Sequence, residues 1–274
     1  MSDLSTSRSE GAVRIPKLRT RVSHSARIWN YWLGGRDNYQ IDQEVGDHIL
    51  SFVPEIPRSA IADRQFLARA VNHLAGEAGI RQFLDIGTGL PIVDNTHEVA
   101  QRVAPTSRVV YVDNDPVVLS HARALLTSTP EGATDYIDAD VHAPDTILQG
   151  AAGTLDFSQP VAITMLGILN FVLDTDEAQS IVHRLLDAVP SGSYLVVSHP
   201  TTEVDGPAMT QAVRYWNNQG SAPMTLRTRE ELLRFFDRLD LVDPGVVTCS
   251  RWRPDISPDE IVDVTHFCGV GRKP

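Results

Sequence analysis

The pattern of apolar and polar positions changes twice along the chain. Residues 1 to about 20 show no periodicity, and we expect them to form a disordered tail. Apolar residues then recur at helical spacing, which predicts three helices over residues 23–33, 39–51 and 58–78. Strand-length apolar runs follow and alternate with helix-length segments, as is typical of a parallel sheet with helices on both faces. We therefore expect a tail (1–20), a helical cap or lid (21–80) and an α/β domain (81–274), with the cap and the domain forming one globular unit.

The polar segment between the first two predicted helices has two interpretations. Gly34 and Gly35 end the first helix, and Asp37 or Asn38 would then be the N-cap of the second. The same polar side chains could instead close over a ligand as a lid. The pattern alone leaves both interpretations open.

The predicted sheet ends differently from how it begins. Five strands begin near residues 83, 108, 134, 161 and 194, and helix-length segments separate them. Two further helices, the second with Thr228 as N-cap and Glu231 completing a capping box, occupy 204–218 and 229–239. The last two strands, over 241–249 and 262–271, have no helix between them, which favours an antiparallel pair at the sheet edge.

The charge of the chain disfavours some classes of partner. The formal net charge of −11 disfavours a general nucleic-acid or acidic-membrane binder, because such proteins neutralise phosphates with basic surface. Residues 1–27 are the exception: six basic and two acidic residues give this arm +4 and leave −15 on the remainder. A solvated tail explains that arm better than nucleic-acid binding does.

The cysteines and the apolar runs indicate the compartment. Cys249 and Cys268 lack the spacing of a disulfide framework or a metal motif, so we expect buried thiols and no metal site. The N-terminus has no secretory apolar segment, and the run from Val161 to Leu173 is too short to span a bilayer. We expect a soluble, cytoplasmic protein without a membrane partner.

The stretch from Phe83 to Pro91 is typical of a loop that admits a ligand. An apolar strand runs into Asp85, and Gly87 and Gly89 follow, which allow unusual backbone angles or close approach to a bound molecule. A predicted helix over 92–104 would present its free N–H groups nearby. An ordinary tight turn has the same signature, so this loop is a weak indication by itself.

Acidic residues recur at the ends of three consecutive strands. Asp85 ends the first, Asp113 ends the second 24 residues after Gly89, and Asp140 follows the third. A carboxylate at the interval of Asp113 can accept hydrogen bonds from ribose hydroxyls. Asp113 could also be a helix cap and Asp140 a turn residue, but their combination favours a nucleoside site.

The loop sequence also bears on which nucleoside is bound. The loop Gly87-x-Gly89-x-Pro91 lacks the third glycine of the dinucleotide fingerprint, which a pyrophosphate requires. A cofactor without phosphates and with a cationic end tolerates the proline, and the acidic strand ends suit a sulfonium. S-adenosylmethionine fits, with adenine and ribose toward Asp140 and Asp113 and the methionine end toward Asp85 and the glycine loop.

Several motifs together resemble a known family. They are Asp-Ile-Gly-Thr-Gly-Leu-Pro (85–91), Asn-x-His-Glu-Val-Ala-Gln (95–101), Val-Val-Tyr-Val-Asp-Asn-Asp-Pro-Val-Val-Leu (109–119), Leu-Gly-Gly-x-Asp-Asn (33–38) and Gly-Ser-Tyr-Leu-Val-Val-Ser-His (192–199). From Ser23 to Lys273 the chain resembles the actinobacterial S-adenosyl methyltransferase family, formerly a domain of unknown function. The resemblance implies a Rossmann-like class I methyltransferase fold: a seven-stranded, mostly parallel sheet with an antiparallel last strand and a helical N-terminal extension. It also implies that the segment from Gly34 to Asn38 lies near the cofactor.

The motifs and the resemblance together give a set of expected cofactor contacts. These are Asp85, Gly87, Thr88, Gly89, Asp113, Asn114, Asp140, Val141 and Leu166 in the domain, and Tyr31 and Asn38 in the cap. The chain departs from the expected Leu-His-Phe-Val run, because Asn170 stands in place of the histidine.

We assign no catalytic residue from the sequence. Methyl transfer needs a base only when the acceptor must lose a proton. Candidate bases are His199, His142, His24 and Tyr31, although a histidine at a strand end, such as His199, is more often structural.

Three functions remain compatible with the sequence. The first is methyl transfer from S-adenosylmethionine to a small-molecule acceptor, with S-adenosylhomocysteine as product. The second is a catalytically silent protein that binds the same cofactor, and the third is a nicotinamide-dependent oxidoreductase, which Pro91 and the antiparallel ending disfavour. Met209, Tyr215, Trp216 and Met224 could line an acceptor pocket, but they are equally good core residues. The sequence indicates neither the acceptor nor the oligomeric state.

Overall fold

The computed structural model describes residues 22–92, 94–125, 127–219 and 222–274, and three helices precede its first strand. They are α1 (Ser25–Trp32), α2 (Gln40–Phe52) and α3 (Ile56–Gly76). The predicted tail, residues 1–20, lies outside the described residues. The three predicted helices are confirmed within a few residues at each end.

The turn between α1 and α2 is built around Asn30. The Oδ1 atom of Asn30 accepts hydrogen bonds from the backbone N–H of Asp37 (3.0 Å) and from Nδ2 of Asn38 (2.9 Å). Tyr39 is the N-cap residue of α2, and its N–H donates to Oδ2 of Asp42 at 2.9 Å. The interpretation in which Asp37 or Asn38 caps α2 is therefore wrong, because the helix begins at Gln40 with Tyr39 as its N-cap residue.

Five parallel strands form most of the sheet, in the order β3-β2-β1-β4-β5. They are β1 (Gln82–Ile86), β2 (Arg108–Asp113), β3 (Ala133–Asp138), β4 (Ala162–Leu166) and β5 (Tyr194–Pro200). The segments between them contain α4 (Thr96–Val103), α5 (Pro116–Leu125), α6 (Pro144–Ala151) and α7 (Thr175–Asp187). The predicted alternation is confirmed.

The end of the sheet is antiparallel, as predicted, but one predicted strand is broken. The strand β8 (His266–Arg272) pairs along the whole of β5, with His266 opposite Pro200. Its other edge pairs with two short strands, β6 (Asp240–Leu241) and β7 (Val247–Thr248), instead of one strand over 241–249. Pro244 has no N–H for a ladder and Gly245 has a φ of 80°, so the chain turns between the two pieces.

The two late helices are shorter than predicted. They are α8 (Gly206–Asn217) and α9 (Arg229–Leu233), and a 3₁₀ turn, Arg234–Phe236, follows α9 directly. The predicted capping box is confirmed: the N–H of Thr228 donates to Oε2 of Glu231 at 2.8 Å, and the N–H of Glu231 donates to Oγ1 of Thr228 at 3.2 Å.

Three apolar clusters hold these layers together. Alternate residues of the strands bury against α6 and α7 on one face, as Leu84 does, and against α3 and α4 on the other, as Phe83 does. A third cluster joins α1 and α2 to α8 through side chains that include Ile28, Ile49 and Trp216. The predicted cap, residues 21–80, includes α3, but α3 packs on the sheet. From here on, the name cap refers to α1 and α2 only.

The cysteines and the lengths of the helices bear on two further predictions. Cys249 and Cys268 are buried free thiols, as predicted. Within the described ranges, no helix combines the length and the apolar character that crossing a membrane requires.

Candidate cofactor and acceptor site

The carboxyl ends of β1 to β5 open into a cavity of about 680 Å³, which the cap, α3 and α8 also line. This volume lies within the range of ~300–1,000 Å³ common for ligand pockets. All nine site residues predicted in the α/β domain line it: Asp85, Gly87, Thr88, Gly89, Asp113, Asn114, Asp140, Val141 and Leu166. Parallel strands end at the same edge of a sheet, which is why residues from four of them meet here.

The loop after β1 takes its shape from two glycines with positive φ. Gly87 has a φ of 79° and donates its N–H to the carbonyl of Val112 at 2.8 Å. A Cβ atom on Gly87 would lie 2.7 Å from the side chain of Ile168. Gly89 has a φ of 67°, but a Cβ atom there would meet no atom of the described residues within 4 Å. The first glycine is therefore required by packing, whereas the second borders open space.

Asp85 is buried and bound to hydroxyl groups on two neighbouring elements. Its carboxylate accepts hydrogen bonds from Oγ1 of Thr96 (2.6 Å) and from Oγ1 of Thr164 (2.9 Å). Burial raises the pKa of Asp85, and the two hydroxyl donors oppose this shift. Asp85 thereby links the end of β1 to α4 and β4.

Asp113 connects the end of β2 to the glycine loop. Its Oδ2 atom accepts the N–H of Gly89 at 3.0 Å, and its Oδ1 atom accepts the N–H of Asp115 at 2.9 Å. Burial raises the pKa of Asp113, and these two backbone donors oppose the shift. Asp115, not Asp113, caps α5, since its Oδ1 atom accepts the N–H of Val117 at 2.8 Å.

Asp140 is the most exposed of the three carboxylates. It accepts hydrogen bonds from Nδ2 of Asn114 (2.8 Å) and from both the backbone N–H (2.9 Å) and Nδ1 (2.6 Å) of His142. Desolvation would raise the pKa of Asp140, but the hydrogen bonds from His142 and Asn114 outweigh it and lower the pKa. Asp140 is therefore ionised at neutral pH.

The two site residues predicted in the cap are not among the residues that line the cavity. The hydroxyl of Tyr31 donates to Oδ1 of Asp47 at 2.7 Å, and Asn38 is bound to Asn30 and to Gln43. The cap reaches the cavity instead through His24, whose Nδ1 lies 3.2 Å from Oδ2 of Asp115, and through Trp29. The structure thus brings α1 to the site through residues other than Tyr31 and Asn38.

His199 has the structural role that its position at a strand end favours. Its Nδ1 pairs with the carbonyl of Pro200 at 2.8 Å, and its Nε2 accepts from Nη1 of Arg227 at 2.7 Å. Burial, reinforced by the charge of Arg227, lowers the pKa of His199 to about 3. Both ring nitrogens are occupied, and His199 is not among the lining residues. His24 and His142, the other histidines considered, do line the cavity.

Three buried polar residues of the cavity wall were not recognised as site residues from the sequence. Asp63 lies on α3, and burial raises its pKa to about 6 against opposing hydrogen bonds from Ser198 and Cys249. His266 begins β8, and burial lowers its pKa to about 4. Asn170, noted only as a departure from a motif, lies in the 3₁₀ turn Leu169–Phe171 after β4. An acidic residue on the apolar stripe of α3 was a usable signal for Asp63, whereas no local pattern marks His266.

Nowhere in the described parts of the chain do three or more His, Cys, Asp or Glu side chains cluster in a way that could hold a metal ion. The polar groups of the cavity are hydrogen-bonding groups on carboxylates, amides, hydroxyls and imidazoles. Such a set suits an organic cofactor with several hydroxyl and amino groups.

Comparisons with known proteins agree with this geometry. The sequence matches the family described as S-adenosyl methyltransferase over residues 12–274. A DUF574 family protein from Streptomyces avermitilis MA-4680 is 48% identical, with a TM-score of 0.89, over 93% of this chain and 99% of that one. A protein from Thermobifida fusca YX, provisionally named a methyltransferase, is 41% identical, with a TM-score of 0.86, over 96% and 99% of the two chains.

A more distant structure shares the fold alone. An O-methyltransferase family 2 protein from Planctomyces limnophilus DSM 3776, in complex with apigenin, is 15% identical with a TM-score of 0.50. The match covers 82% of this chain and 61% of that one. No match was found among curated proteins. The family and the Rossmann-like fold expected from the sequence are thereby confirmed.

Proposed function

This chain belongs to the S-adenosyl methyltransferase family, and from that premise we propose that it transfers a methyl group from S-adenosylmethionine to a small-molecule acceptor. S-adenosylhomocysteine is then the second product. The observation that carries the proposal is the meeting of three carboxylates, Asp85, Asp113 and Asp140, with the glycine loop in one cavity.

The residues present fit the cofactor in its parts. Asp113 has lone pairs beyond the two that Gly89 and Asp115 engage, so it can accept hydrogen bonds from ribose hydroxyls. Asp140 and Asn114 would bind the adenine end, beside the apolar side chains of Val141 and Leu166.

The methionine end of the cofactor would lie at the loop after β1. Asp85, Gly87, Thr88 and Gly89 line this part of the cavity, and the space beside Gly89 is open. A cationic sulfonium is favoured near carboxylates. Tyr31 and Asn38 would act only indirectly, by holding the cap in place through Asp47 and Asn30.

S-adenosylmethionine supplies an activated methyl carbon, so the protein contributes mainly alignment of the reactants and exclusion of water. The cap would provide that exclusion, working as one unit with the α/β domain. Buried free thiols at Cys249 and Cys268 fit a reducing compartment, and we assign the reaction to the cytoplasm.

Calorimetric titration with S-adenosylmethionine, S-adenosylhomocysteine and NAD tests the proposal. We expect both sulfur compounds to bind and NAD not to bind, since the loop with Pro91 lacks the third glycine of the fingerprint that a pyrophosphate requires. Failure of both sulfur compounds to bind would sink the proposal. Methyl release from the bound cofactor to a panel of small acceptors would then separate an enzyme from a silent binder.

A further inference from the structure

The same cavity is also lined by residues outside the proposed cofactor contacts, and we call this part of its wall the acceptor half. It is lined by Trp29, Asn170, Phe171, Met209, Trp216 and His266. Three of these residues are aromatic, and Nε1 of Trp216 is already bound to the carbonyl of Ala222 at 2.9 Å. Flat aromatic rings and flexible thioethers favour a flat, apolar ligand.

Two polar atoms in the wall of the acceptor half have no hydrogen-bond partner among the described residues: Nδ1 of His266 and Oδ1 of Asn170. The two residues are only 4% and 3% exposed. A buried polar atom without a partner costs about 1–3 kcal/mol, so two in one cavity wall call for an explanation. A ligand that donates hydrogen bonds to both atoms supplies one.

Neighbouring elements hold both residues in place. His266 follows Thr265, whose N–H donates to Oγ of Ser59 on α3 at 3.1 Å. The ring of Trp29 in the cap meets the ring of His266 edge-on at 5.5 Å. Asn170 is held through its backbone carbonyl, which accepts the N–H of Thr225 at 2.8 Å. The unpartnered atoms therefore belong to side chains whose backbones are fixed.

The acceptor half also disfavours charge. Burial lowers the pKa of His266 to about 4, so its imidazole is neutral at neutral pH, and with the proton on Nε2 its Nδ1 atom accepts a hydrogen bond. An ammonium or carboxylate group would lose its hydration among the aromatic rings. A hydroxyl group donates a hydrogen bond without carrying charge.

We propose that the acceptor is a neutral, hydroxylated aromatic molecule, whose ring lies in the acceptor half and whose hydroxyl groups donate to Nδ1 of His266 and Oδ1 of Asn170. Both atoms are shielded from solvent, so the ligand reaches them by displacing the side chains that cover them. One of these is Trp29 of the cap, whose ring packs against His266, so binding would move part of the cap. The inference rests on the proposed function, because it assigns this half of the cavity to the acceptor.

The first test needs no variant. The wild-type protein is saturated with S-adenosylhomocysteine and titrated with ethylbenzene, 4-ethylphenol and 4-ethylaniline in the calorimeter. We expect 4-ethylphenol to bind about 10-fold tighter than ethylbenzene, because its hydroxyl gives a buried acceptor a partner. Equal affinities, no binding of either probe, or tighter binding of the aniline would overturn the proposal.

A second measurement reports on His266 directly. In protein with ¹⁵N-labelled histidine, 4-ethylphenol should shift the Nδ1 resonance of His266, and ethylbenzene should shift it much less. An unchanged Nδ1 resonance with 4-ethylphenol bound would overturn the assignment of His266.

Variants then test the pair. The double variant His266→Leu, Asn170→Leu should lose the preference for 4-ethylphenol. The control His183→Leu should keep it, because His183 lies on α7, is bound to Asp237 and is not among the residues that line the cavity. Thermal unfolding and affinity for S-adenosylhomocysteine show whether the double variant is folded. A preference that survives in the double variant would overturn the proposal. If S-adenosylhomocysteine does not bind wild type, the proposed function fails; if it binds without the hydroxyl preference, only this inference fails.

Discussion

The carboxylates of the cavity differ in what they bind. Asp85 accepts only from two threonine hydroxyls in the described structure, and it ties together three elements of the sheet layer. Asp113 accepts from two backbone N–H groups of the loops that flank the site. Asp140 is the most exposed of the three and is held ionised by its donors. Asp85 thus braces the cavity wall between three elements, whereas Asp113 and Asp140 are the carboxylates to which the proposed function assigns the ribose and the adenine end.

Replacement of Asp113 tests the ribose assignment. We expect Asp113→Ala to weaken binding of S-adenosylhomocysteine by about 1–3 kcal/mol, because the ligand hydroxyls and the N–H of Gly89 lose their acceptor. Isothermal titration calorimetry measures the loss. Asp138→Ala is the matched control, since Asp138 is an exposed residue that pairs with Asp113 in the sheet register and is not among the lining residues. An affinity equal to wild type in Asp113→Ala would refute the assignment.

Asp63 gives the stability of the protein a specific pH dependence. Its pKa is about 6 in the folded protein and 3.8 for the free side chain, so between pH ~4 and ~6 the folded state binds more protons than the unfolded state. Its contribution to stability is therefore present below pH ~4 and is lost as pH rises through ~6. Asp63→Asn stays neutral and should gain on the order of 3 kcal/mol relative to wild type between pH 4 and pH 7.

Urea unfolding of wild type and Asp63→Asn at several pH values measures this gain. The comparison cancels the opposite effect of His199 and His266, which both proteins share. A difference in unfolding free energy that stays constant from pH 4 to pH 7 would contradict the burial argument.

At the scale of elements, the two glycines of the loop between β1 and α4 have different roles, one in packing and one beside the open cavity. Gly87 faces Ile168 and Gly89 borders open space, although both have a positive φ. Local sequence predicts that this loop needs glycine, but it does not distinguish the two reasons. In the turn from α1 to α2, the side chain of Asn30 binds the backbone N–H of Asp37, seven residues later, and the local pattern does not reveal this contact.

Alanine at each glycine should therefore give different results. Gly87→Ala should lose about 2–5 kcal/mol of unfolding free energy. The new methyl group would clash with the side chain of Ile168, and a non-glycine residue pays an additional cost for the left-handed backbone. Gly89→Ala should lose only about 1–2 kcal/mol but should bind S-adenosylhomocysteine much more weakly, because its methyl group would stand in the open space. Urea unfolding and calorimetry on both variants check the contrast. Equal losses of stability, or unchanged affinity in Gly89→Ala, would contradict it.

At the scale of the whole molecule, the site is closed by parts of the chain that are far apart in sequence. The cap contributes Trp29, α8 contributes Met209 and Trp216, and β8 contributes His266. The same α1, α2 and α8 share an apolar cluster that includes Ile28 and Met209. Closure of the cavity and packing of the cap therefore depend on the same contacts.

Hydrogen exchange with and without S-adenosylhomocysteine tests this dependence. Ligand at 100 times its Kd should slow exchange by up to ~100-fold wherever opening requires its release. We expect slowing both in residues 86–90 and in α1, Ser25–Trp32. Ala104, Thr106 and Ser107 serve as the internal control, because they lie just before β2, at the end of the strands opposite the cavity. Slowing confined to the loop, with α1 unchanged, would contradict the role of the cap.

The sequence by itself determined the architecture and the meeting of the three carboxylates with the glycine loop in one cavity. Helical and strand periodicity are local, and parallel strands bring their carboxyl ends to one edge, so Asp85, Asp113 and Asp140 could be expected to meet there. The antiparallel edge of the sheet was less predictable from the sequence. The two-residue strands β6 and β7 are defined there by their pairing with β8.

Only the tertiary structure decided the acceptor side. His266 reaches the cavity because β8 runs antiparallel to β5, which puts the first residue of β8 at the edge where the other strands end. Tyr31 and Asn38 are held by Asp47 and Asn30, respectively, and are not among the lining residues. Side-chain direction depends on partners distant in sequence, and local pattern carries no information about those partners. Local periodicity therefore predicted the fold, whereas long-range contacts determined the shape of the acceptor half.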